Sequence, residues 1–340
     1  MLPSHIGIDL GRSAVKVVAR QGDRTISFMF PAAVTRAQAV VFDQLAERAN
    51  RDTVELRGET YWTGDTALMQ SWGAEPLGLT DDWVSGYHHD VLVASALKRL
   101  EAEGLEYDPA EAFITLGVPS RVFRDRRDLL RIVRVNSSAV LSRDGQAPKV
   151  FVHAQPMGVI ARHTLTDEGY SLPDRSLEKD SYAVVEVGHF TTDFTAIVKG
   201  LPIIEATASC EGVYLVAGHI RTKLREEEIT LGNVDLQTLV TQKAIRVRGQ
   251  DRDLSTLIEQ GIHSVLLPKI MESFRSAFNP TLLQSVDQVL VAGGGAPIVY
   301  PGLKATPQAS HALLVDDSRH AVADGFARLS ALMSLAREVA

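Results

Sequence analysis

Two short segments carry the residues best suited to chemistry. Asp9-Leu-Gly11-Arg12-Ser13 closes the β-rich run 6–10 and leads into a second run, 14–19, that holds Lys16. Far downstream, Glu186-Val-Gly188-His189-Phe190-Thr191 stands in the same relation to the runs 183–187 and 192–198. With an offset of 177 residues, Asp9 falls on Glu186, Gly11 on Gly188 and Lys16 on Asp193. In each segment a glycine lets the backbone turn so that its N–H groups point into a concavity suited to phosphate oxygens. A carboxylate at the end of the preceding strand suits a hydrated Mg²⁺, a hard ion that keeps several of its waters. Asp9 and Glu186 are the candidates for that ion, holding it through water. Lys16 can reach a β- or γ-phosphate as a mobile point charge; without the paired motif it reads rather as a surface-strand lysine.

A third glycine run, Val291-Ala-Gly293-Gly294-Gly295-Ala296-Pro297, follows a strand-like segment. Three glycines let the backbone come close to a flat or charged ligand, which suits the adenosine and α-phosphate side of a nucleotide. A triple glycine by itself is an ordinary loop, and its place after two phosphate-type hairpins is what gives it weight. The candidate nucleotide contacts are therefore Gly11, Arg12, Ser13 and Lys16; Gly188, His189, Phe190 and Thr191; and Gly293, Gly294, Gly295 and Ala296.

These residues need elements to position them. A pseudo-repeat at about half the chain length argues for two related α/β domains facing each other, against a solenoid with its period of about 20–50 residues. Between the repeats, the apolar run 112–116 ends in Gly117-Val-Pro119 and leads to a charged, helical stretch over 121–134. Asp144-Gly145 reads as a tight hairpin turn, with 149–153 as the return strand. The stretch 31–79 is the least patterned and reads as a subdomain insertion on the first half, with an exit helix over 91–105 that stops at Gly104. Helices are expected over 213–228, 254–278 and 321–336, and a strand over 288–292. The expected organisation is a first domain over 1–160 with an insertion at about 31–90, a second over 161–320, and a closing helix over 321–340 that returns to the first.

The chain has 340 residues, 45% hydrophobic and 23% charged, which is a folded globular composition. Thirty-five basic and 42 acidic side chains give a net charge of −7, which offers no general footprint for nucleic acid. Cys210 is the only cysteine, so no intrachain disulfide is possible and a reducing compartment fits. Residues 1–12 lack a basic segment followed by an apolar run, and the longest uncharged stretch, 289–303, is broken by glycines and prolines. A cytoplasmic location without a membrane span is expected. His88-His89-Asp90 reads as solvent-facing, because adjacent histidines on a helix point in different directions. Arg225-Glu-Glu-Glu228 reads as a solvated face, Cys210 as buried filler, and Trp62, Trp72 and Trp83 as filling of the insertion or an assembly surface.

Taken together, the three motifs resemble those of the actin-like ATPase superfamily, shared by actin, heat-shock chaperones and sugar kinases. Asp9 to Lys16 resembles its first phosphate motif, Glu186 to Asp193 its second, and Gly293 to Ala296 its adenosine motif. The resemblance implies an α/β fold of duplicated ribonuclease-H-like domains flanking a nucleotide cleft, with ATP or GTP and Mg²⁺ as ligands. Four local signatures, Trp62-Thr-Gly-Asp-Thr-Ala67, Gly117-Val-Pro119, Ala154-Gln-Pro-Met-Gly158 and Ala323-Asp-Gly-Phe326, resemble the bacterial plasmid-segregation ParM/StbA proteins, and among them the branch called protein D of the PRTRC system. In such proteins the segment matching 154–158 carries the Gln or Glu that orients the attacking water. By that resemblance Gln155 joins Asp9 and Glu186 in the catalytic set. A carboxamide is no strong base near neutral pH, but phosphoryl transfer depends more on positioning than on proton abstraction. The alternative for Gln155 is a polar loop residue beside Pro156. Ser209-Cys-Glu-Gly212 resembles the family segment near the ribose and phosphates, with Gly212 as the contact.

The function so implied is a slow ATPase that closes on nucleotide and assembles head to tail into filaments. Such filaments move plasmid DNA through a DNA-bound adaptor, without direct nucleic-acid contact or a membrane. Two departures stand out. The second motif opens with Glu186 where the pattern has Asp, and the extra methylene displaces the carboxylate or its metal waters by about an ångström, enough to slow a geometry-sensitive step. His189 and Phe190 replace small residues; they pack over the γ-phosphate or mark a retreated loop, and a histidine there can switch charge near neutral pH. The competing functions are a small-molecule kinase, which needs a carboxylate base where Gln155 stands, and a non-polymerising nucleotide-gated scaffold.

Overall fold

The computed structural model of the chain describes residues 2–38, 49–70, 81–231 and 239–338. Trp72 and parts of the expected insertion therefore lie outside the described residues. The alternating apolar positions of the first segment form β1 (Ser4–Leu10), β2 (Ala14–Gln21) and β3 (Arg24–Pro31), an antiparallel meander. Three short strands, β4 (Val34–Arg36), β5 (Thr53–Leu56) and β6 (Glu59–Thr63), make a separate small sheet in the order β4-β6-β5. Helix α1 (Gly64–Gln70) follows it, and α2 (Tyr87–Ala102) ends before Gly104, whose φ of 87° provides the stop.

The fully buried strand β7 (Ala112–Val118) then pairs in parallel with β1. Helices α3 (Ser120–Asp125) and α4 (Arg127–Val140) fill the charged stretch, and β8 (Lys149–Ala154) pairs in parallel with β7. The sheet order is β3-β2-β1-β7-β8. The Asp144-Gly145 turn forms as its residue types dictate, with φ of 50° and 76° and an Arg143–Gln146 bridge. It does not open a hairpin, however. The element before it is helix α4, and β8 takes its partner from β7, because a parallel crossover leaves the new strand beside the buried one.

Helix α5 (Gln155–Thr164) follows β8 directly. The C-terminal helix Ala321–Glu338 packs against α5, β1 and β7. Glycines permit this approach: a Cβ on Gly7 would meet the carbonyl of Ala323, and one on Gly325 would meet the carbonyl of Gly158. The signatures at Gly117, Gly158 and Ala323-Asp-Gly-Phe326 thus meet as one packing contact, with the Phe326 ring on Gly117.

The second sheet is built from β9 (Tyr182–Val187), β10 (Thr191–Val198), β11 (Leu201–Pro202), β12 (Ala208–Glu211), and two later strands. Helix α6 (Tyr214–Glu226) precedes a hairpin, β13 (Ala244–Val247) with β14 (Gln250–Asp253), that lies apart from that sheet. Helices α7 (Ser255–Gly261) and α8 (Leu267–Ala277) are joined by one π-helical segment, and α9 (Pro280–Ser285) leads to β15 (Gln288–Ala292), α10 (Ala296–Lys304) and β16 (Ala312–Leu314). The order is β11-β10-β9-β15-β16, with β12 on β10: again an antiparallel hairpin followed by parallel strands.

The described residues form two compact units, one holding residues up to Leu177 together with His320 onward, the other Glu178–Arg319. The division falls after the expected 160 because the segment following α5 folds back onto the C-terminal helix, where Gly169 lies against the backbone of Ala331 and Leu332. Ile6, Ile8, Val17, Leu92, Ile114 and Leu116 lie in the first core; Val185, Phe194, Ile220, Phe274 and Phe278 lie in the second.

Candidate functional site

The first hairpin places Asp9 at the end of β1 directly opposite Lys16 on β2. Its turn closes with the Gly11 N–H donating to the Ala14 carbonyl at 3.1 Å, and a Cβ on Gly11 would sit 2.9 Å from that oxygen. Asp9 is 2% exposed and holds two partners. Lys16 Nζ donates to Oδ2 at 2.7 Å, and Gln155 Nε2 donates to Oδ1 at 2.8 Å.

Gln155 is therefore no loop residue. It is buried as the first residue of α5, with Ala154 extended before it and Pro156 starting the helix. Gly117 leaves the room that its Cγ occupies. Because the amide nitrogen is committed to Asp9, the carbonyl oxygen Oε1 is the atom left to accept a hydrogen bond from a ligand or water.

In the second unit, Glu186 stands opposite Asp193 in the same register as Asp9 and Lys16. The Gly188 N–H donates to the Thr191 carbonyl at 2.8 Å, matching Gly11 and Ala14. The turn carbonyls are all taken by the start of α6: Gly212 N–H donates to Phe190, Val213 to Gly188 and Tyr214 to His189. A Cβ on Gly212 would stand 2.8 Å from the His189 carbonyl, so this glycine seats the turn on the helix. The N–H groups of His189 and Phe190 have no acceptor among the described residues and remain available to an anion.

The His189, Phe190 and Tyr214 rings contact one another, His189 and Phe190 edge-to-face at 4.7 Å. Burial lowers the His189 imidazole to about 4. It stays neutral at pH 7, so the expected charge switch near neutrality does not occur.

The triple glycine divides its work. Gly293 has φ 95° and donates to the Ser318 carbonyl at 2.8 Å; a Cβ there would lie 2.7 Å from Glu186 Oε1. A Cβ on Gly295 would run into the Val213 and Val187 side chains. These two glycines fit the loop onto the end of β9. Gly294 is exposed, with nothing nearer its Cβ position than Arg319 Nε at 3.7 Å, and it alone of the three offers open space to a ligand.

Among the described residues no group of three or more His, Cys, Asp or Glu side chains could hold a metal ion. Asp9 at the end of β1 and Glu186 at the end of β9 are each, within their own unit, a hard oxygen donor of the kind that a hydrated Mg²⁺ accepts.

The sequence missed an ionic hub at the back of the first site. Asp324, on the C-terminal helix, pairs with Arg20 of β2 and Arg162 of α5, and lies 3.4 Å from Arg328; Arg20 and Arg328 also reach Asp167 at 3.0 and 2.8 Å. Lys16 and Arg20 share β2, and Gln155 and Arg162 share α5, so one carboxylate fixes the two elements that carry both partners of Asp9. His88-His89-Asp90 is also not solvent-facing. His89 is fully buried beside Trp83 and lowered by burial to about 4, and Asp90 is buried and paired with Arg57 at 2.8 Å. Trp62 and Trp83 are buried in the first unit, while Arg225–Glu228 is a solvated run, with Lys223 and Arg252 on Glu226 and Glu227.

Comparison with known proteins accounts for both halves. Residues 7–158 match the family of actin like proteins, N terminal domain, and residues 184–305 match that of the archaeal actin homologue MreB-like, C-terminal. Both halves of the chain thus match actin-like domains, and its fold is the actin-like fold. Its fold is shared by the subunit of a 15-stranded ParM filament from Clostridium botulinum, at 17% identity, a TM-score of 0.71, and 97% and 99% coverage of the two chains. It is shared equally by the apo psk41 ParM protein (18% identity, TM-score 0.64, 98% of each chain). The archaeal actin homologue Ta0583 in complex with ADP gives 16% identity and a TM-score of 0.70, covering 97% of this chain and 99% of its own. No curated protein matches the chain in sequence.

Proposed function

We propose that this chain is a nucleotide-driven, filament-forming protein of the ParM plasmid-segregation kind. It binds Mg²⁺–ATP through both glycine hairpins, hydrolyses it slowly, and works through a DNA-bound adaptor. The observation that carries this reading is the repeated acid-x-Gly hairpin in one register, with the Gln155 amide bonded to the first acid. The ParM filament and the ADP-bound archaeal actin homologue support it by their common fold.

In this reading the free N–H groups at His189 and Phe190 and the turn at Gly11, Arg12 and Ser13 take phosphate oxygens. Lys16 adds a positive charge, and Thr191 and Gly212 hold the second turn in shape. Gly294 approaches the adenosine side, while Gly293, Gly295 and Ala296 seat that loop. Asp9 and Glu186 would hold Mg²⁺ through its waters, and the ion would neutralise phosphate charge. Gln155 Oε1 accepts a hydrogen bond from the attacking water and fixes its position, while Asp9 prevents the amide from turning over.

Light scattering and phosphate release after adding Mg²⁺–ATP or Mg²⁺–GTP test the proposal. Scattering should rise with nucleotide, and Gln155→Ala should still assemble while releasing phosphate at least about tenfold more slowly. Nucleotide binding without assembly at any concentration would favour a scaffold. Release that depends on an added sugar would favour a kinase.

A further inference from the structure

The solvent side of α4 carries two adjacent stripes. Leu129, Val133 and Ser137 face the core. Arg127, Arg131 and Arg134, at i, i+4 and i+7, form an exposed basic edge. Beside it run Ile132 (40% exposed), Val135 (54%) and the exposed Ala139. Neighbouring arginines are occupied: Arg124 by Asp125, Arg126 by Asp82 and Asp128, and Arg143 by Glu101. Arg127, Arg131 and Arg134 have no ion pair among the described residues. Three like charges at helical spacing repel one another, so the helix bears a cost that acidic groups from outside would relieve.

We infer that this face of α4 is a docking surface for a second copy of the chain, an inference that rests on the assembly reading above. Charge complementarity selects that occupant. Between residues 121 and 134 there are six arginines and two aspartates, a local +4 inside a chain of −7, which leaves −11 on everything else. Another copy is therefore itself an acidic partner. Duplex nucleic acid is a poorer fit, because Asp125 and Asp128 among the arginines and the −11 carried by the rest of the chain repel phosphates. A lipid surface is also a poorer fit. The exposed apolar row holds one isoleucine, one valine and one alanine with no aromatic, and the opposite face of the helix is committed to the core. Arginines bordering aliphatic side chains are the composition of a protein–protein contact.

The test is the triple charge reversal Arg127→Glu/Arg131→Glu/Arg134→Glu in the full chain, read by pelleting with Mg²⁺–ATP as a function of concentration. A separate fluorescent-nucleotide titration and thermal melt confirm that the fold and nucleotide binding are kept. The expected result is a rise of at least about tenfold in the concentration needed to assemble. Ile132→Asp should give a similar rise, and the triple Arg→Lys variant should assemble like the parent at low salt. Reversal variants that bind nucleotide and assemble at the parent's concentration overturn this surface and leave the assembly reading standing. A parent that binds nucleotide and never assembles overturns both. Loss of binding to a duplex DNA fragment or phosphatidylglycerol vesicles on reversal, with assembly untouched, overturns the second copy as occupant.

Discussion

The two glycine hairpins share a register and differ in what surrounds it. At equivalent positions the first sets an acid against a base, Asp9 against Lys16, and the second sets an acid against an acid, Glu186 against Asp193. Four residues beyond Lys16 the first has Arg20, tied into the Asp324 hub; four residues beyond Asp193 the second has Ile197, 2% exposed. On the other face of that strand Phe194 packs with Phe278 and Phe274, with ring centroids 5.9 and 5.1 Å apart. The turn is thus a backbone solution that tolerates two kinds of support, one ionic and one apolar. What both units keep is the glycine, the closing hydrogen bond and the acid before it.

Breaking the ionic support should have the largest effect. Asp324→Ala leaves three arginines around a missing carboxylate, and removing one partner of a buried pair costs about 3–5 kcal/mol; a fall in the denaturant midpoint of the first unit checks this. An unchanged midpoint would mean that the hub is dispensable. Burial opposes charge on Asp324 and lowers Arg328, but Arg20, Arg328 and Arg162 together hold the Asp324 carboxyl below the usual carboxylate range. Its contribution is therefore complete above the unfolded value of about pH 4 and is lost as pH falls further, through the depressed folded value. Asp324→Asn should flatten that acid limb of the stability curve, an effect with no counterpart at Ile197.

Next in size is Lys16→Met, which removes the base that distinguishes the first hairpin. Nucleotide affinity should fall about tenfold, whereas Asp193→Asn should change it less than about threefold. Equal losses in titrations of the two variants would erase the distinction. Glu186→Asp withdraws a methylene and should speed phosphate release severalfold, by about 1 kcal/mol of barrier, with binding unchanged. The smallest expected effect is at His189. With its imidazole lowered to about 4, affinity should be flat between about pH 6 and about pH 8. Stability from the buried neutral ring declines only as pH drops from about 6.5 toward that value. A step in affinity near pH 7 that His189→Phe abolishes would contradict this.

Both hairpins were legible in the sequence because their information is local: β-rich runs, an acid and a glycine at fixed spacing. The same locality made Asp144-Gly145 legible as a turn and misleading as a hairpin, since two residues dictate a turn but not what precedes it. The β13–β14 hairpin was missed although Arg248-Gly249 has the same form, with φ of 50° and 84°. The Asp324–Arg20 pair spans 304 residues, and nothing in either neighbourhood announces the other. His89 shows the complementary failure. Its type and its histidine neighbour favoured the surface, and only the packing of Trp83 against it explains a neutral, fully buried ring.

The C-terminal helix gives the chain an order of manufacture. The second unit, Glu178–Arg319, is complete before that helix leaves the ribosome, whereas the first waits for residues made after it. Until then the glycine-lined back of β1 and the Arg20 guanidinium stand uncovered. Truncated products ending before residue 320 therefore carry a finished second unit beside an open first sheet, a form that quality-control proteases can recognise.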